Sequence, residues 1–481
     1  MGHAPVAAHD PIPLCIDLDG TLIRSDTLLE SILELLKHRP AAALLLPVWL
    51  VRGRAYLKAQ IAERVALPVD TLPYREEFVA WARAESAARP VVLVTAAQQQ
   101  IAHAVAAHLG LFREVIATSV QNLKGQRKAQ ALVARYGAKG FDYAGNDDSD
   151  LPVWRQARDA IVVGAPASVA AKARASAVVT REFEPRRPLK QRVVAWLRAL
   201  RLYQWVKNVL VFVAPAGAHR ILEPDTLSLA FIAFVAFGLA ASGLYLVNDL
   251  LDLRADRSHP RKRTRPFASG VLPLAGGFVA APILLVAAFS IAAGLGTPFT
   301  LTLLAYLLCT TSYSLWLKRK TFIDVALLAA LYTLRVVGGA MATGLTLSFW
   351  LIAVCAYGFL GLALLKRYSE LRELELEDRV AIAGRGYTTG DLPVVLALGV
   401  GSSLVATLVT ALYIESNAGR ALYAHPELLW ALVGLMLLGL GRMWLVAGRG
   451  TMHDDPIVFV ASDPWCRLLV VFASVVVAIS M

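Results

Sequence analysis

The chain has 481 residues, of which 57% are hydrophobic and 17% are charged, and this composition excludes an ordinary soluble protein. The formal net charge is +12, but the basic residues concentrate in loops between apolar runs. That pattern is typical of cytoplasmic loops of a membrane protein and argues against nucleic acid as a partner. Four widely spaced cysteines without a CxxC pair predict neither a zinc site nor a disulfide framework.

The first part of the chain, residues 1–185, predicts a cytoplasmic α/β domain of the Rossmann-like type. Its start, MGHAPVAAHDPIP, lacks the basic segment and apolar stretch of a cleaved signal. Short apolar strands are predicted at 12–16 and 91–94, and helices at 98–109 and 126–136. Because such alternating folds bind ligands at the carboxyl ends of their strands, polar residues following these strands are the first candidates for a site.

Two segments fall outside this alternating pattern. Residues 40–50 (PAAALLLPVWL) are apolar but too short to span a bilayer, so a cap or a helix resting on the membrane is expected. Residues 186–202 continue a charged, proline-containing stretch and are expected to form a linker. Two domains are therefore the simplest division of the chain.

The remainder, residues 203–481, predicts an all-α bundle of about nine transmembrane helices. The expected spans are centred near residues 212, 237, 284, 307, 332, 355, 403, 437 and 473. The loops rich in Lys and Arg fall on the same side as the first domain. The positive-inside rule therefore predicts a multi-pass protein of the inner (plasma) membrane, with these loops and the first domain cytoplasmic and the C-terminus opposite.

Acidic residues cluster at the end of the second predicted span. Asn248, Asp249, Asp252 and Asp256 occupy positions i, i+1, i+4 and i+8, which would place three carboxylates on one helix face. Three like charges at a bilayer boundary are costly without a counter-ion. Because Mg2+ prefers oxygen ligands and retains contacts to substrate phosphates, this cluster predicts a metal-bridged diphosphate site.

Basic and polar residues near the same membrane face could bind the phosphates that the metal does not reach. The candidates are Arg261, Lys262, Arg265, Tyr313, Lys318 and Lys366. For any single loop cation, ordinary positive-inside charge explains the residue equally well. Arg335 is a stronger candidate, because an arginine within a span is expensive and should face a cavity.

The motif NDLLDLRAD at 248–256 resembles the first signature, NDxxDxxxD, of the UbiA-type membrane prenyltransferase superfamily. With QWVKN, YSLWLK and KRYSEL, the fuller pattern is most similar to the decaprenyl-phosphate phosphoribosyltransferases. This resemblance implies transfer of ribose 5-phosphate from phosphoribosyl diphosphate to a polyprenyl phosphate. It implies that Asp249 and Asp252 act in catalysis and, with Asp256, hold Mg2+, while Asn248 orients them.

The second motif departs from the superfamily pattern, because Asp324 lacks a paired aspartate, which weakens the case for a second metal there. The alternative function is prenyl transfer from a polyprenyl diphosphate to an aromatic acceptor, which would need the same aspartates. The dense supply of Lys and Arg favours the sugar donor, whose second phosphate needs neutralising.

The soluble domain contains its own reactive pattern, DLDGT. Asp17 and Asp19 lie two residues apart after a strand, so the first can attack phosphorus while the second protonates the leaving oxygen. Gly20 permits the tight turn that, with Thr21, brings backbone amides to a phosphate.

This pattern resembles the haloacid-dehalogenase-like phosphatases. The resemblance implies that Thr95 binds phosphoryl oxygens, that Lys128 neutralises the nucleophile, and that Asp147 or Asp150 completes a Mg2+ site with Asp17 and Asp19. Lys124 competes with Lys128 for its role. Asn146 stands where many relatives have aspartate. We expect the two domains to act in sequence, with the phosphatase removing the 5-phosphate of the lipid-linked product.

Overall fold

The computed structural model describes residues 11–118, 123–184, 188–378, 380, 385–452 and 456–481. The absence of a cleaved signal was predicted from the first 13 residues, and most of these lie outside the described residues. The chain divides into two compact units. Unit 1 contains residues 1–200 and 246–280, and unit 2 contains residues 201–245 and 281–481.

Unit 1 is built on a six-stranded sheet in the order β3-β2-β1-β4-β5-β6, in which every neighbouring pair is parallel. Its strands are β1 (Leu14–Ile16), β2 (Val91–Gln98), β3 (Glu114–Thr118), β4 (Asp142–Gly145), β5 (Ala160–Val163) and β6 (Val179–Phe183). The central strand β1 is fully buried, with Leu14 and Ile16 in one core cluster and Cys15 in the other. The predicted α/β class and both predicted strands are confirmed.

Helices surround this sheet and form an insertion between β1 and β2. The helices of unit 1 that precede residue 201 are α1 (Thr27–His38), α2 (Pro40–Ala43), α3 (Leu46–Val51), α4 (Arg54–Ala62), α5 (Glu76–Glu85), α6 (Gln99–Leu109), α7 (Gln126–Tyr136), α8 (Leu151–Gln156), α9 (Ala167–Ser176) and α10 (Leu189–Leu200). Helices α1 to α4 form a cap with its own apolar cluster around Leu35, Trp49 and Leu57. The two helices predicted at 98–109 and 126–136 are α6 and α7.

The apolar helices follow. They are α11 (Val213–Gly217), α12 (Pro224–Leu251), α13 (Leu253–Ser258), α14 (Leu274–Leu295), α15 (Thr297–Leu315), α16 (Ile323–Thr343), α17 (Phe349–Leu376), α18 (Leu392–Glu415), α19 (Asn417–Leu422), α20 (Trp430–Gly448), α21 (Pro456–Ser462) and α22 (Pro464–Ser480). All of α13 belongs to unit 1.

Of the described helices, six are long and apolar enough to cross a membrane, and a seventh crossing exists if the bent pair α21–α22 is one span. The helical bundle is thus confirmed, but the predicted nine spans are not. The segment near 212 forms a 3-10 helix (Leu202–Phe212) and the short α11. Helix α15 carries five threonines and two serines, which lower its hydropathy, and it is not among the six.

The predicted linker at 186–202 has regular structure. Its described part is largely α10, whose small residues Ala195 and Ala199 are buried. The charged stretch that precedes α10 starts within the sheet, because β6 continues to Phe183.

Candidate active sites

The nucleophile position of the soluble site lies at the carboxyl end of β1. The Lys128 ammonium, on α7, donates a hydrogen bond to Asp17 Oδ1 at 2.7 Å and another to the Tyr143 hydroxyl at 2.9 Å. Burial raises the pKa of Asp17 to about 6, although the Lys128 charge opposes that rise. Burial disfavours the charged form of Lys128, but Asp17 and Asp150 outweigh it and raise the pKa of the ammonium. Lys128 is thus held protonated beside Asp17 Oδ1.

The Asp19 carboxylate is held in place by the start of α1. The Thr27 backbone amide donates to Asp19 Oδ1 at 2.7 Å, and the Thr27 hydroxyl lies 3.2 Å from Oδ2. Burial, followed by the charges of Asp26 and Asp17, raises the pKa of Asp19 to about 7. A carboxyl group with this pKa can carry a proton near neutral pH and release it to a leaving oxygen.

The turn after Asp19 is covered by Asn146. Gly20 has a φ of +75°, and a Cβ built there would stand 2.1 Å from Asn146 Nδ2. The Thr21 hydroxyl donates to Asn146 Oδ1 at 3.3 Å. Asn146, rather than the neighbouring aspartate, therefore lies over the DLDGT turn.

The two aspartates predicted as further metal ligands have different surroundings. Asp150 is buried and accepts hydrogen bonds from the Tyr143 hydroxyl and from the backbone amides of Asn146 and Asp147. Asp147 accepts the amide and hydroxyl of Ser149, and its carboxylate is half-exposed. Asp150 thus shapes the loop from the inside, and metal binding by either residue stays a prediction.

Thr95 and Lys58 are two further polar residues near this site. Thr95 lies in β2 and is fully buried, and its hydroxyl accepts a hydrogen bond from the backbone amide of Ala97. Lys58, on the cap helix α4, donates to the carbonyl of Ala96 at 2.5 Å, and burial lowers the pKa of its ammonium. Sequence reasoning missed Lys58, because a lone lysine on a helix carries no signal. Lys124 lies 3.9 Å from Asp147 and is half-exposed, whereas the buried Lys128 is the lysine that contacts Asp17.

The aspartate-rich segment of unit 1 brings two carboxylates to one cation. Helix α12 ends at Leu251 and α13 begins at Leu253, so the single helix expected from the sequence is interrupted at Asp252. Arg265 Nη1 lies 3.1 Å from Asp249 Oδ1 and 2.7 Å from Asp256 Oδ2, and both aspartates are buried. Two of the three predicted carboxylates therefore converge.

The donors of this segment fit a hard cation in part. Within the ranges that the structure describes, no three Asp, Glu, His or Cys side chains are grouped as a metal-binding set. Asp249 and Asp256 nevertheless surround a positive charge, the Arg265 guanidinium, and they offer only oxygen donors, as Mg2+ prefers. Asp252, between the two helices, is partly exposed. Arg261 and Lys262 are exposed and Asn248 is partly buried.

In unit 2, Arg335 lies inside a polar network. Its guanidinium donates to Asn208 Oδ1 at 3.0 Å, to the Leu331 carbonyl at 2.6 Å and to the Tyr306 hydroxyl at 3.0 Å. The Tyr306 ring centroid is also 4.7 Å from the guanidinium carbon. These contacts explain how a charge is tolerated in α16, and phosphate binding by Arg335 stays a prediction.

Asp324, at the start of α16, is also fully buried and well paired. It accepts Arg367 Nη2 at 2.5 Å and the Tyr387 hydroxyl at 2.9 Å. Arg367 is fully buried as well, is also bonded to Glu370, and lies over the Tyr387 ring. Arg367 belongs to the KRYSEL motif that the sequence singled out. Tyr313, Lys318 and Lys366 are partly buried in the same unit.

Comparison with known families agrees with both halves of this description. The UbiA prenyltransferase family model matches residues 209–462, and the haloacid dehalogenase-like hydrolase model matches residues 14–155. Because the first match covers more than half of the chain, the protein belongs to the UbiA prenyltransferase family. It also carries a haloacid dehalogenase-like domain.

Three similar proteins illustrate the range of relatives. Uncharacterized protein y4nM of Sinorhizobium fredii is 38% identical over 94% of this chain and 88% of its own length. Decaprenyl-phosphate phosphoribosyltransferase of Corynebacterium glutamicum is 42% identical over 39% of this chain, and its counterpart in Mycobacterium tuberculosis is 38% identical over 38%. The matches span 57% and 62% of those two enzymes, less than two thirds of their length.

Solved structures include a UbiA homolog from Archaeoglobus fulgidus bound to DMAPP and Mg2+. It covers 59% of this chain and 99% of its own, with 14% identity and a TM-score of 0.46.

Proposed function

We propose that the membrane domain transfers the phosphoribosyl group from phosphoribosyl diphosphate to a polyprenyl phosphate at the cytoplasmic face of the plasma membrane. The observation that carries this proposal is the 42% identity over 190 residues to a decaprenyl-phosphate phosphoribosyltransferase. The convergence of Asp249 and Asp256 supports a site for a cation and a diphosphate. We assign the phosphatase to residues 1–185, a linker to 186–202 and the transferase to 203–481.

In this reaction an oxygen of the lipid phosphate attacks the anomeric carbon of ribose. The bond from that carbon to the diphosphate oxygen breaks, and diphosphate leaves. Bound Mg2+ would stabilise the negative charge that accumulates on the leaving group. We assign the metal to Asp249, Asp252 and Asp256, with Asp324 as a further candidate, and Asn248 orients them. The residues proposed to contact substrate are Arg261, Lys262, Arg265, Tyr313, Lys318, Arg335 and Lys366.

The product would retain a phosphomonoester on the 5-oxygen of ribose, and we propose that the soluble domain removes it. The Asp17 carboxylate attacks phosphorus, the bond to the ribose oxygen breaks, and Asp19 gives that oxygen a proton. Water then hydrolyses the aspartyl phosphate and releases inorganic phosphate. Lys128 and Thr95 neutralise and orient the phosphoryl oxygens. Asp17 interacts electrostatically with Asp19 and Asp150, and carboxylate oxygens suit Mg2+, so Asp19, Asp147 and Asp150 are the proposed ligands beside Asp17.

A double-label assay tests both steps. Purified enzyme in liposomes receives Mg2+, a polyprenyl phosphate, and phosphoribosyl diphosphate labelled with 14C in ribose and 32P in the 5-phosphate. We expect 14C in the lipid phase without 32P from the native enzyme, and both labels from Asp17→Asn. Asp252→Asn should abolish both, whereas Asp225→Asn, an exposed aspartate at the other end of α12, should not.

The remaining outcomes separate the alternatives. Both labels retained in the lipid by the native enzyme would contradict removal of the 5-phosphate but support the transfer. No label in the lipid from folded enzyme would contradict phosphoribosyl transfer. The same preparation would then be supplied with a polyprenyl diphosphate and aromatic acceptors, because prenyl transfer would use the same aspartates.

A further inference from the structure

The cap of the soluble domain exposes a group of apolar side chains on α3 and on the turn that precedes it. We call Leu44, Leu45, Val48, Leu50 and Val51 the apolar cap face. Leu44 is 80% exposed and Val51 is 89% exposed, and the other three are about half-exposed. Isolated exposed leucines are ordinary, but five within eight residues form a contiguous apolar surface.

The opposite side of the same segment shows that this exposure is built into the cap. Ala43 and Trp49 point inward and are buried with Leu35, Leu57 and Ile61. The segment therefore has one face that packs inside the cap and a second face whose side chains are half-exposed to almost fully exposed. An inner face already anchored by Trp49 does not need the outer residues for folding.

The surroundings of the apolar cap face are positively charged. Between Glu34 and Glu63 the sequence contains five Lys or Arg residues and no Asp or Glu. Four of these cations flank the apolar cap face and are exposed, namely Lys37, Arg39, Arg52 and Arg54. An apolar patch rimmed by cations is complementary to a bilayer surface that contains anionic lipids, and much less so to another basic protein surface.

We propose that the apolar cap face docks on an anionic phospholipid surface and inserts its leucines and valines at the headgroup boundary. Helices of four and six residues are too short to cross a bilayer, so they would lie in its surface. The six apolar helices would hold the chain in the same membrane. The cap would then be tethered at a high effective concentration next to the lipid surface, so weak contacts would be enough to dock it.

Docking would serve the phosphatase, an argument that rests on the proposed function. The cap begins with α1, whose Thr27 holds Asp19, and it includes α4, whose Lys58 bonds to Ala96 beside Thr95. A cap held at the headgroup boundary would present this site to a phosphomonoester on a lipid. A soluble phosphate ester would gain nothing from it.

The first experiment measures depth with full-length protein in nanodiscs. An environment-sensitive fluorophore is attached at Val51→Cys in a Cys309→Ser background, because the other native cysteines, Cys15, Cys355 and Cys466, are buried. The control is Val178→Cys, an exposed valine next to the edge strand β6. In nanodiscs with phosphatidylglycerol, doxyl-labelled lipids should quench the Val51 probe by about half and leave the Val178 probe almost unchanged.

Equal, weak quenching at both positions would overturn the proposal. A Val51 probe with blue-shifted emission that doxyl lipids do not quench would also overturn the proposal. In that case a protein surface, such as a second copy of the chain, would cover the apolar cap face. Quenching that persists unchanged in purely zwitterionic nanodiscs would overturn the role of the cations.

A kinetic experiment is a second test. The variant Val48→Asp/Val51→Asp should raise KM about tenfold for a polyprenyl-phosphoryl ribose 5-phosphate in anionic vesicles, and leave hydrolysis of p-nitrophenyl phosphate unchanged. An unchanged KM for the lipid would contradict docking. If native enzyme hydrolyses only the soluble ester, the proposed function fails, and the depth measurement still decides whether the cap docks.

Discussion

Glu30 and Arg257 form a buried, bidentate ion pair within unit 1. The two terminal nitrogens of the Arg257 guanidinium lie 2.6 and 3.1 Å from the Glu30 carboxylate oxygens. Glu30 is in the first turn of α1, three residues after the threonine that holds Asp19, and Arg257 follows Asp256 in α13. The pair therefore joins α1, the first helix of the cap, to α13, the helix of the aspartate-rich segment.

Replacing Glu30 by Gln should destabilise unit 1. Arg257 would be left buried without its counter-ion, and losing one partner of such a pair costs about 3 kcal/mol of unfolding free energy. Thermal or denaturant unfolding in detergent measures this loss. The double variant Glu30→Gln/Arg257→Met should lose less than the sum of the single variants. Additive losses would show that the two side chains do not depend on each other.

Lys128→Met should lower phosphatase kcat/KM by about 100-fold or more, because the protonated amine at Asp17 would be lost. Hydrolysis of p-nitrophenyl phosphate in the presence of Mg2+ is the measurement. Lys124→Met is the matched control, since Lys124 is half-exposed and 3.9 Å from Asp147. A larger loss from the Lys124 variant would assign the role to that lysine instead.

Asn146→Asp should lower the Mg2+ concentration for half-maximal phosphatase activity, on the order of tenfold. The new carboxylate would stand over the Gly20 turn and add a charged oxygen donor to those near Asp17. Titration of activity with Mg2+ gives the result. Asp148→Asn changes an exposed aspartate paired with Lys172 and should leave the titration unaltered. A higher Mg2+ requirement in Asn146→Asp would mean that this position does not face the metal.

Asp324→Asn should destabilise the membrane domain by about 3 kcal/mol, since the fully buried Arg367 would lose a charged partner. The measurement is thermal unfolding in detergent without Mg2+, which separates this structural role from metal binding. Glu375→Gln, which removes an exposed partner of Arg372, is the control and should have little effect. Stability equal to the native protein, with a raised Mg2+ requirement, would favour Asp324 as a metal ligand.

Local patterns predicted the parts of the structure that depend on nearby residues. Apolar periodicity predicted the strand before Asp17 and helices α6 and α7. The residue types of DLDGT predicted the turn. Lys58 and the Glu30–Arg257 pair could not be predicted, because their partners lie 38 and 227 positions away in the sequence. Arg335 was singled out by its cost within a span, but its partners Asn208 and Tyr306 emerge only from helix packing.

The number of membrane spans shows a second limit of prediction from the sequence. A hydropathy window counts an apolar run near residue 212 as a crossing, although local geometry there divides it into a 3-10 helix and the five-residue α11. Apolar composition shows where lipid is tolerated, whereas helix length depends on prolines and on packing. Pro215, within α11, is one local reason why a long regular helix does not form there.

The assembly of unit 1 from two stretches of chain has a practical consequence for dissecting the protein. A fragment that ends at residue 200 would contain the whole parallel sheet, yet it would lack Arg257 and Phe267. Glu30 would then be a buried acid without its guanidinium, and Trp196 would lose the ring that packs edge-on against it at a centroid distance of 6.0 Å. The haloacid dehalogenase-like domain is therefore best expressed with the whole chain, and truncation at residue 200 should yield a less soluble product that aggregates.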